Sequence, residues 1–474
     1  MSHRRHANGH SGLLKNNGIF PPDCTASHPK RPYLHNHGCE NFNCHMFITG
    51  VASTISQLEF NMPQLSQQDL EALLRPTLGR HLVVESFTSK PLTQPGENYG
   101  STMLDIEVTI RHGKDETSSH NLSLVAKLMP TSEFFRKIFD SPVTFCKEIT
   151  CYMSLKLEYE KLQTEMCIPK EKFLDLFSKC YGARTTMSEE IGDRADENAV
   201  ILLENLKTLN YRLGDRRVGL DLKHVQLVVS KLAGFHALSV ALKLLKPQVF
   251  KDTVLKACKP YYKGFDEAEI KSSSLKLLKI IETIPGCDNY LQKVQTGLEL
   301  ADQLELNPSL CPPREPYATF SHSDFWVNNM MFCYDSDDEN YPVEVKFLDF
   351  QGNVYDSPVK DLLFFLYTSA AEGVMPNNYD ELIRLYHQNF TDCLKGVGCD
   401  ISHFTFQSLL DEIDMFAPSE VHHILFMLLP ITADKTNIPE ISDVDTDTFY
   451  HTPNEIYKRK AKEYITDYVQ RGWL

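Results

Sequence analysis

The chain has 474 residues, 42% of them hydrophobic and 23% charged, an ordinary balance for a globular protein with room for two or three domains. Its net charge of −15 argues against a nucleic-acid partner, which demands a basic face, and more weakly against anionic membrane surfaces. The 13 cysteines are scattered, no charged segment followed by an apolar one opens the chain, and no uninterrupted apolar run reaches the roughly 20 residues that span a bilayer. The expectation is a cytoplasmic protein with free thiols and no membrane segment.

Residues 1–60 do not pattern as a domain. Seven of the 18 histidines fall there, with Cys24, Cys39 and Cys44. His35, His37, Cys39, Cys44 and His45 match no standard zinc spacing, so the stretch reads as a flexible tail with incidental Cys and His. A helix is expected over 66–78, with Ser66 and Asp69 as a capping box and Leu70, Leu73 and Leu74 as its apolar stripe. The period then changes to two. Leu82-Val83-Val84, the alternating Leu104, Ile106, Val108 and Ile110, and Leu122 to Leu128 predict an antiparallel, partly solvated sheet. Between its first two strands lies Pro95-Gly96-Glu97-Asn98-Tyr99-Gly100-Ser101. A turn with two glycines can cover phosphates with backbone N–H groups, yet it is neither G-x-G-x-x-G nor a Walker loop, and alone it reads as a hairpin loop.

Lys127 is the single charge late in an apolar strand, and taken alone it is a lysine at a sheet edge. A helix over about 142–162 follows, with Phe145, Ile149, Tyr152 and Met153 on one stripe and Glu148 beside it. That placement suits a strand lysine paired with a glutamate on the next helix, the pair that holds a kinase lysine against the nucleotide phosphates. Val200 to Leu206 is a short strand running into a polar connection. It would close the small lobe, and a nucleotide base would meet backbone groups near Glu204, Asn205 and Leu206. Beyond it the pattern is helical: from Asp221, where His236 reads as a packing histidine, then about 267–283 and 289–306, and after 357 to the C-terminus. Pro308 to Pro316 is a proline-rich break.

The densest chemistry follows that break. His322-Ser323-Asp324-Phe325-Trp326-Val327-Asn328-Asn329 precedes an apolar strand, an acidic turn over 335–340, a second strand and then Asp349-Phe350-Gln351. A hairpin there brings Asp324, Asn329 and Asp349 to one edge. Phosphoryl transfer needs such an edge, with a base for the incoming hydroxyl and hard oxygen ligands for Mg²⁺. Singly, each of the three is equally a turn or capping residue. After Asp349 few residues remain before Ser357-Pro358 starts a new helix, leaving no room for a peptide-holding segment and pointing to a small-molecule acceptor.

These motifs, with Val125-Ala126-Lys127, Leu232-Ala233-Gly234-Phe235-His236-Ala237, Ser357-Pro358 before Asp361-Leu362, and the ending Gly472-Trp473-Leu474, closely resemble the insect ecdysteroid-kinase-like family. This is the CHK kinase-like branch of the choline kinase and aminoglycoside phosphotransferase superfamily, and the resemblance covers roughly residues 62–474. It implies an α+β, protein-kinase-like two-lobed fold: a tail over 1–60, an N-lobe with a small antiparallel sheet over 61–206, and a mostly helical C-lobe over 207–474. It also implies ATP and Mg²⁺ as cofactors. Asp324 matches the catalytic base, Asn329 and Asp349 the metal ligands, and Lys127 and Glu148 the phosphate-positioning pair. Gly96, Asn98, Tyr99 and Gly100 would cover the nucleotide, with Glu204 to Leu206 at its base, and Asp361 would brace the catalytic loop. The acceptor implied is a hydroxylated lipophilic molecule such as an ecdysteroid, with no protein substrate. A choline- or ethanolamine-type acceptor would need an aromatic or anionic cage, which the sequence does not locate. One position departs: Ser323 stands where the family usually has Gly. If that position needs a positive φ, serine there costs on the order of 1 kcal/mol. That departure motivates the alternative of a pseudokinase that binds ligand without transfer.

Overall fold

The computed structural model describes residues 65–92, 100–113, 118–187, 194–261, 266–434, 450 and 453–474. The tail over 1–60, and Gly96, Asn98 and Tyr99, lie outside the described residues.

Helix α1 (Gln67–Leu78) starts with Ser66 and Asp69 capping one another's backbone and buries Leu70, Leu73 and Leu74. It covers one face of a five-stranded antiparallel sheet of β1 (Leu82–Pro91), β2 (Thr102–His112), β3 (His120–Leu128), β4 (Cys180–Arg184) and β5 (Val200–Glu204), in the order β1-β2-β3-β5-β4. The period of two sorts the side chains. Leu104, Ile106, Val108 and Ile110 join Leu124, Ala126, Leu128 and the α1 leucines in one core, while Ile201 and Leu203 face the main core on the other side. The strand that carries Lys127 is not an edge strand. β3 lies between β2 and β5, and Lys127 points away from the α1 core with only 3% exposure.

Glu148 rides on α2 (Ser141–Thr150), which continues through a π-helical turn, Cys151–Leu155, into Lys156–Glu165. The wider turn resets the helical stripe. Phe145, Tyr152, Leu155, Tyr159 and Leu162 are buried, whereas Met153, expected on that stripe, is exposed.

The rest is mostly helical. Helix α3 (Leu222–Leu245) is its spine, packed against α7 (Val374–Gly396). By length and composition α3 would pass for a membrane span, although Lys and His interrupt its apolar run, and 78% of its most apolar 18-residue window is buried inside the fold. Around it stand α4 (Glu267–Glu282), α5 (Leu291–Leu306), α6 (Pro358–Ser369), α8 (Phe406–Phe416), α9 (Val421–Thr432) and α10 (Glu455–Arg471). The aromatic residues of this part are core. Phe364, Phe365, Tyr367, Phe404 and Phe416 are buried, and Phe406 and Phe426 pack against the same cluster. Short strands set the loops. β6 (Arg212–Leu213), β8 (Met330–Tyr334) and β9 (Pro342–Phe347) form one small antiparallel sheet, with Met330 opposite Phe347; β7 (Thr319–Ser321) pairs with β10 (Val354–Asp356).

Candidate active site

β7 delivers the chain into His322-Ser323-Asp324. Ser323 has φ +66°, the left-handed region that glycine occupies freely. What holds a serine there is Asp361, in the first turn of α6. Its carboxylate accepts from the His322 N–H at 2.6 Å and the Ser323 N–H at 2.8 Å. Asp361 is itself held by His236 Nε2 at 3.1 Å, and His236 Nδ1 meets the Tyr386 hydroxyl at 2.8 Å. His236 is therefore fully used, a buried brace behind the loop. The left-handed turn costs a non-glycine residue about 1–2 kcal/mol. Two hydrogen bonds to a charged acceptor contribute about 1.5–3 kcal/mol each, so the brace wins. Ser323→Gly should raise stability by at most about 1 kcal/mol, because relief of the turn is partly offset by the freer unfolded chain. Urea denaturation checks this; a loss of stability would show that the serine side chain supports the turn.

Asp324 lies half-buried at the end of this loop. Asn329 Nδ2 donates to both its backbone oxygen and its Oδ2, each at 2.8 Å. Both amide hydrogens are thus turned toward the loop, and Asn329 Oδ1 has no protein donor among the described residues. The hairpin links this amide to the second carboxylate, since Leu348 N–H donates to the Asn329 carbonyl at 2.9 Å. His322 Nε2 donates to the Leu348 carbonyl at 2.8 Å, tying the same two segments from the other side. Asp349 follows at once with φ +63°, a second non-glycine residue in the left-handed region.

That turn sends Asp349 Oδ1 to Lys127 Nζ at 2.7 Å, and Lys127 also donates to Glu148 Oε2 at 2.5 Å. The lysine and Glu148 are almost fully buried, while Asp349 is 23% exposed on its open side. Burial pushes the Lys127 ammonium down, but Asp349 and Glu148 outweigh it and hold it well above its ordinary value. Burial raises the Glu148 carboxyl, against the pull of Lys127. Burial also raises Asp324, with the Asp349 charge adding to it, as suits a base that must take a proton. Lys127→Met would leave Glu148 and Asp349 facing each other without a cation. We expect a loss of about 3–5 kcal/mol, typical of breaking a buried ion pair, with the urea midpoint as the measurement. An unchanged midpoint would mean that Glu148 takes up a proton at no cost.

Asn329 Oδ1 and Asp349 Oδ2 are hard oxygen donors without protein partners among the described residues. Two such ligands suit Mg²⁺, which keeps several waters and is completed by substrate phosphates. Among the described residues no group of three or more His, Cys, Asp and Glu side chains could hold a metal by itself. Of the residues expected around the nucleotide, Gly100 is buried where β2 begins. At the end of β5 the Asn205 side chain is occupied by Asp105, Ser123 and the Lys207 N–H. The Glu204 and Asn205 N–H groups donate to the Lys179 and Ser123 carbonyls, so the Leu206 N–H is the donor of that trio left for a base.

The structure adds a group with no sequence signal. His423 on α9 stacks on Phe364 at 4.0 Å and bonds Glu420 at 3.0 Å. It sits about a hundred residues beyond Asp324 in the chain, and periodicity marks it only as a helix residue.

The description of the ecdysteroid kinase-like family matches residues 95–399, well over half of the chain and the span that holds Lys127, Glu148, Asp324, Asn329, Asp349 and Asp361. The chain belongs to the ecdysteroid kinase-like family. No curated protein matches it in sequence. Solved structures similar to this ecdysteroid kinase-like chain include a spectinomycin phosphotransferase in complex with ADP and spectinomycin, at 10% identity and TM-score 0.40, covering 85% of this chain and 100% of that one. A gentamicin complex of an aminoglycoside phosphotransferase is 13% identical with TM-score 0.29, covering 82% and 99% of the two chains. A glucosamine kinase is 10% identical with TM-score 0.30, covering 84% and 97%.

Proposed function

We propose that this member of the ecdysteroid kinase-like family transfers the γ-phosphoryl group of ATP to a hydroxyl of a small lipophilic acceptor, an ecdysteroid or a compound of similar chemistry. One observation carries the reading. Lys127 is held between Glu148 and Asp349 on one side of the site, while Asp324 and Asn329 are locked together on the other. Lys127 would meet the α- and β-phosphates and neutralise charge there. Asp324 would orient the acceptor hydroxyl and take its proton, its basicity raised by burial and by Asp349. Asn329 and Asp349 would hold Mg²⁺, which would neutralise charge on the phosphate end of the nucleotide. Placement and electrostatics supply most of the rate in such a site.

The short connection from Asp349 to α6 supports a small acceptor over a peptide. The pseudokinase alternative rested on Ser323, and the two hydrogen bonds that the His322 and Ser323 N–H groups donate to Asp361 weigh against it, because they hold the loop in its turn despite the serine. A choline-type acceptor would need an open aromatic face. Phe364 is buried with one face covered by His423, so it offers no open face for such a cage. The test is incubation of the protein with ATP, Mg²⁺ and a panel of ecdysteroids, other hydroxylated lipophiles, choline and ethanolamine, with mass spectrometry for a phosphate gain. Phosphorylated choline alone would overturn the lipophilic acceptor. ATP binding without any product would overturn the transfer.

A further inference from the structure

Gln351 follows the Asp349 turn by two residues, and its carboxamide lies against Gly100, the residue that leads into β2. A Cβ placed on Gly100 would come within 2.7 Å of Gln351 Nε2 and 3.4 Å of its Oε1. The amide therefore occupies the space where any other residue at position 100 would put its side chain. Gln351 Oε1 is buried and accepts no hydrogen bond among the described residues. A buried acceptor left unmade costs about 1–3 kcal/mol, so the position asks for a partner. The neighbouring segment is closely set: a Cβ placed on Gly352 would meet the His322 carbonyl at 3.4 Å and Asp324 Cβ at 3.8 Å, and the buried Asn353 donates to the Phe350 carbonyl at 2.8 Å.

We propose that Gln351 is a positioning residue for the phosphate end of the nucleotide, an inference that rests on the kinase reading above. The carboxamide spans the space between Gly100 and the Asp349 turn. A magnesium nucleotide brings two kinds of group to that space: phosphate oxygens, which accept, and metal-bound waters, which donate. Nε2 suits the first and the orphaned Oε1 suits the second. Gly100 is then glycine so that the amide can stand where it does, and the two residues act as one unit. Nothing in this role requires Gln351 to touch the acceptor.

The experiment is calorimetric binding of MgADP, without turnover, to the wild type, Gln351→Ala, Gly100→Ala and the double variant, with thermal unfolding of each in the absence of nucleotide. Gln351→Ala should weaken MgADP about tenfold, one hydrogen-bonded group's worth. Gly100→Ala should weaken it similarly by displacing the amide. The double variant should be no worse than the weaker single, because the methyl then enters vacated space. Unfolding without nucleotide should come no earlier for Gln351→Ala than for the wild type, because the substitution removes an acceptor left unmade. Wild-type affinity in Gln351→Ala, losses that add in the double variant, or a nucleotide-free Tm that falls in step with affinity would each overturn the proposal. A wild type that binds no MgADP would overturn the kinase reading together with it.

Discussion

Asp324→Asn is expected to lower kcat by roughly 10²–10⁴-fold, the contribution of a positioned general base, with KM for ATP little changed. The fold should survive, and the reason lies in the electrostatics. Burial and then the Asp349 charge raise the Asp324 carboxyl, so its ionised form is less comfortable in the folded protein than in the unfolded chain. At neutral pH the ionised group therefore subtracts from stability, and the subtraction disappears as pH falls through the raised value. An asparagine removes the charge and keeps an oxygen for Asn329 Nδ2. Thermal stability at pH 7 should equal or exceed that of the wild type. Loss of turnover with a preserved Tm is the signature of a residue kept for chemistry at some expense of stability. Equal phosphotransfer by both proteins would remove Asp324 from the mechanism.

Asp361→Ala is expected to cost about 3–5 kcal/mol of stability, because it strips a buried charge from its partners. The His322 and Ser323 N–H groups and His236 Nε2 would all lose their acceptor inside the fold. Activity should fall as well, although Asp361 is buried behind the loop, because its carboxylate is the acceptor for both backbone N–H groups of the left-handed turn. Asp361→Asn should be milder in stability and still poor in turnover. One of its two positions becomes a donor that faces an N–H group. The pH dependence separates this carboxylate from Asp324. Burial raises the Asp361 carboxyl, but His236 and then His322 outweigh it and hold it below the ordinary value of 3.8. A lowered carboxylate contributes stability that is present above its unfolded value and is lost as pH falls through the folded one. Wild-type stability should thus decline below about pH 4, and Asp361→Asn should lose that part of the slope. Urea midpoints from neutral to acid pH measure it. Parallel profiles would mean that Asp361 is not the group whose protonation weakens the loop.

The lysine, the helix glutamate and the three polar residues of the hairpin were legible in the chain because each sits on an element with a short-range signature. Lys127 sits late in an apolar strand, Glu148 flanks a helical stripe, and Asp324, Asn329 and Asp349 bracket a hairpin whose register places Asn329 beside Leu348. Those signatures are local properties of period and turn chemistry, so one sequence suffices for them. The stripe on the Glu148 helix was misread past Cys151, since a π-helical turn adds a residue that no 3.6-residue period anticipates. The aromatic residues of the helical part were legible as apolar but not as core or pocket. Only their packing, with Phe364 and Phe365 almost wholly enclosed, decided it.

By itself, then, the sequence determined which residues carry oxygen and charge, on what kind of element, and in a chain order that suits phosphoryl transfer. The tertiary structure decided how they are held. The left-handed turns at Ser323 and Asp349, the Tyr386–His236–Asp361 brace, the stack of His423 on Phe364 and the Gln351 amide in the space of a missing Gly100 side chain join residues up to 251 positions apart. Such pairings depend on loop closure and packing of the whole chain, and neither leaves a period in the sequence.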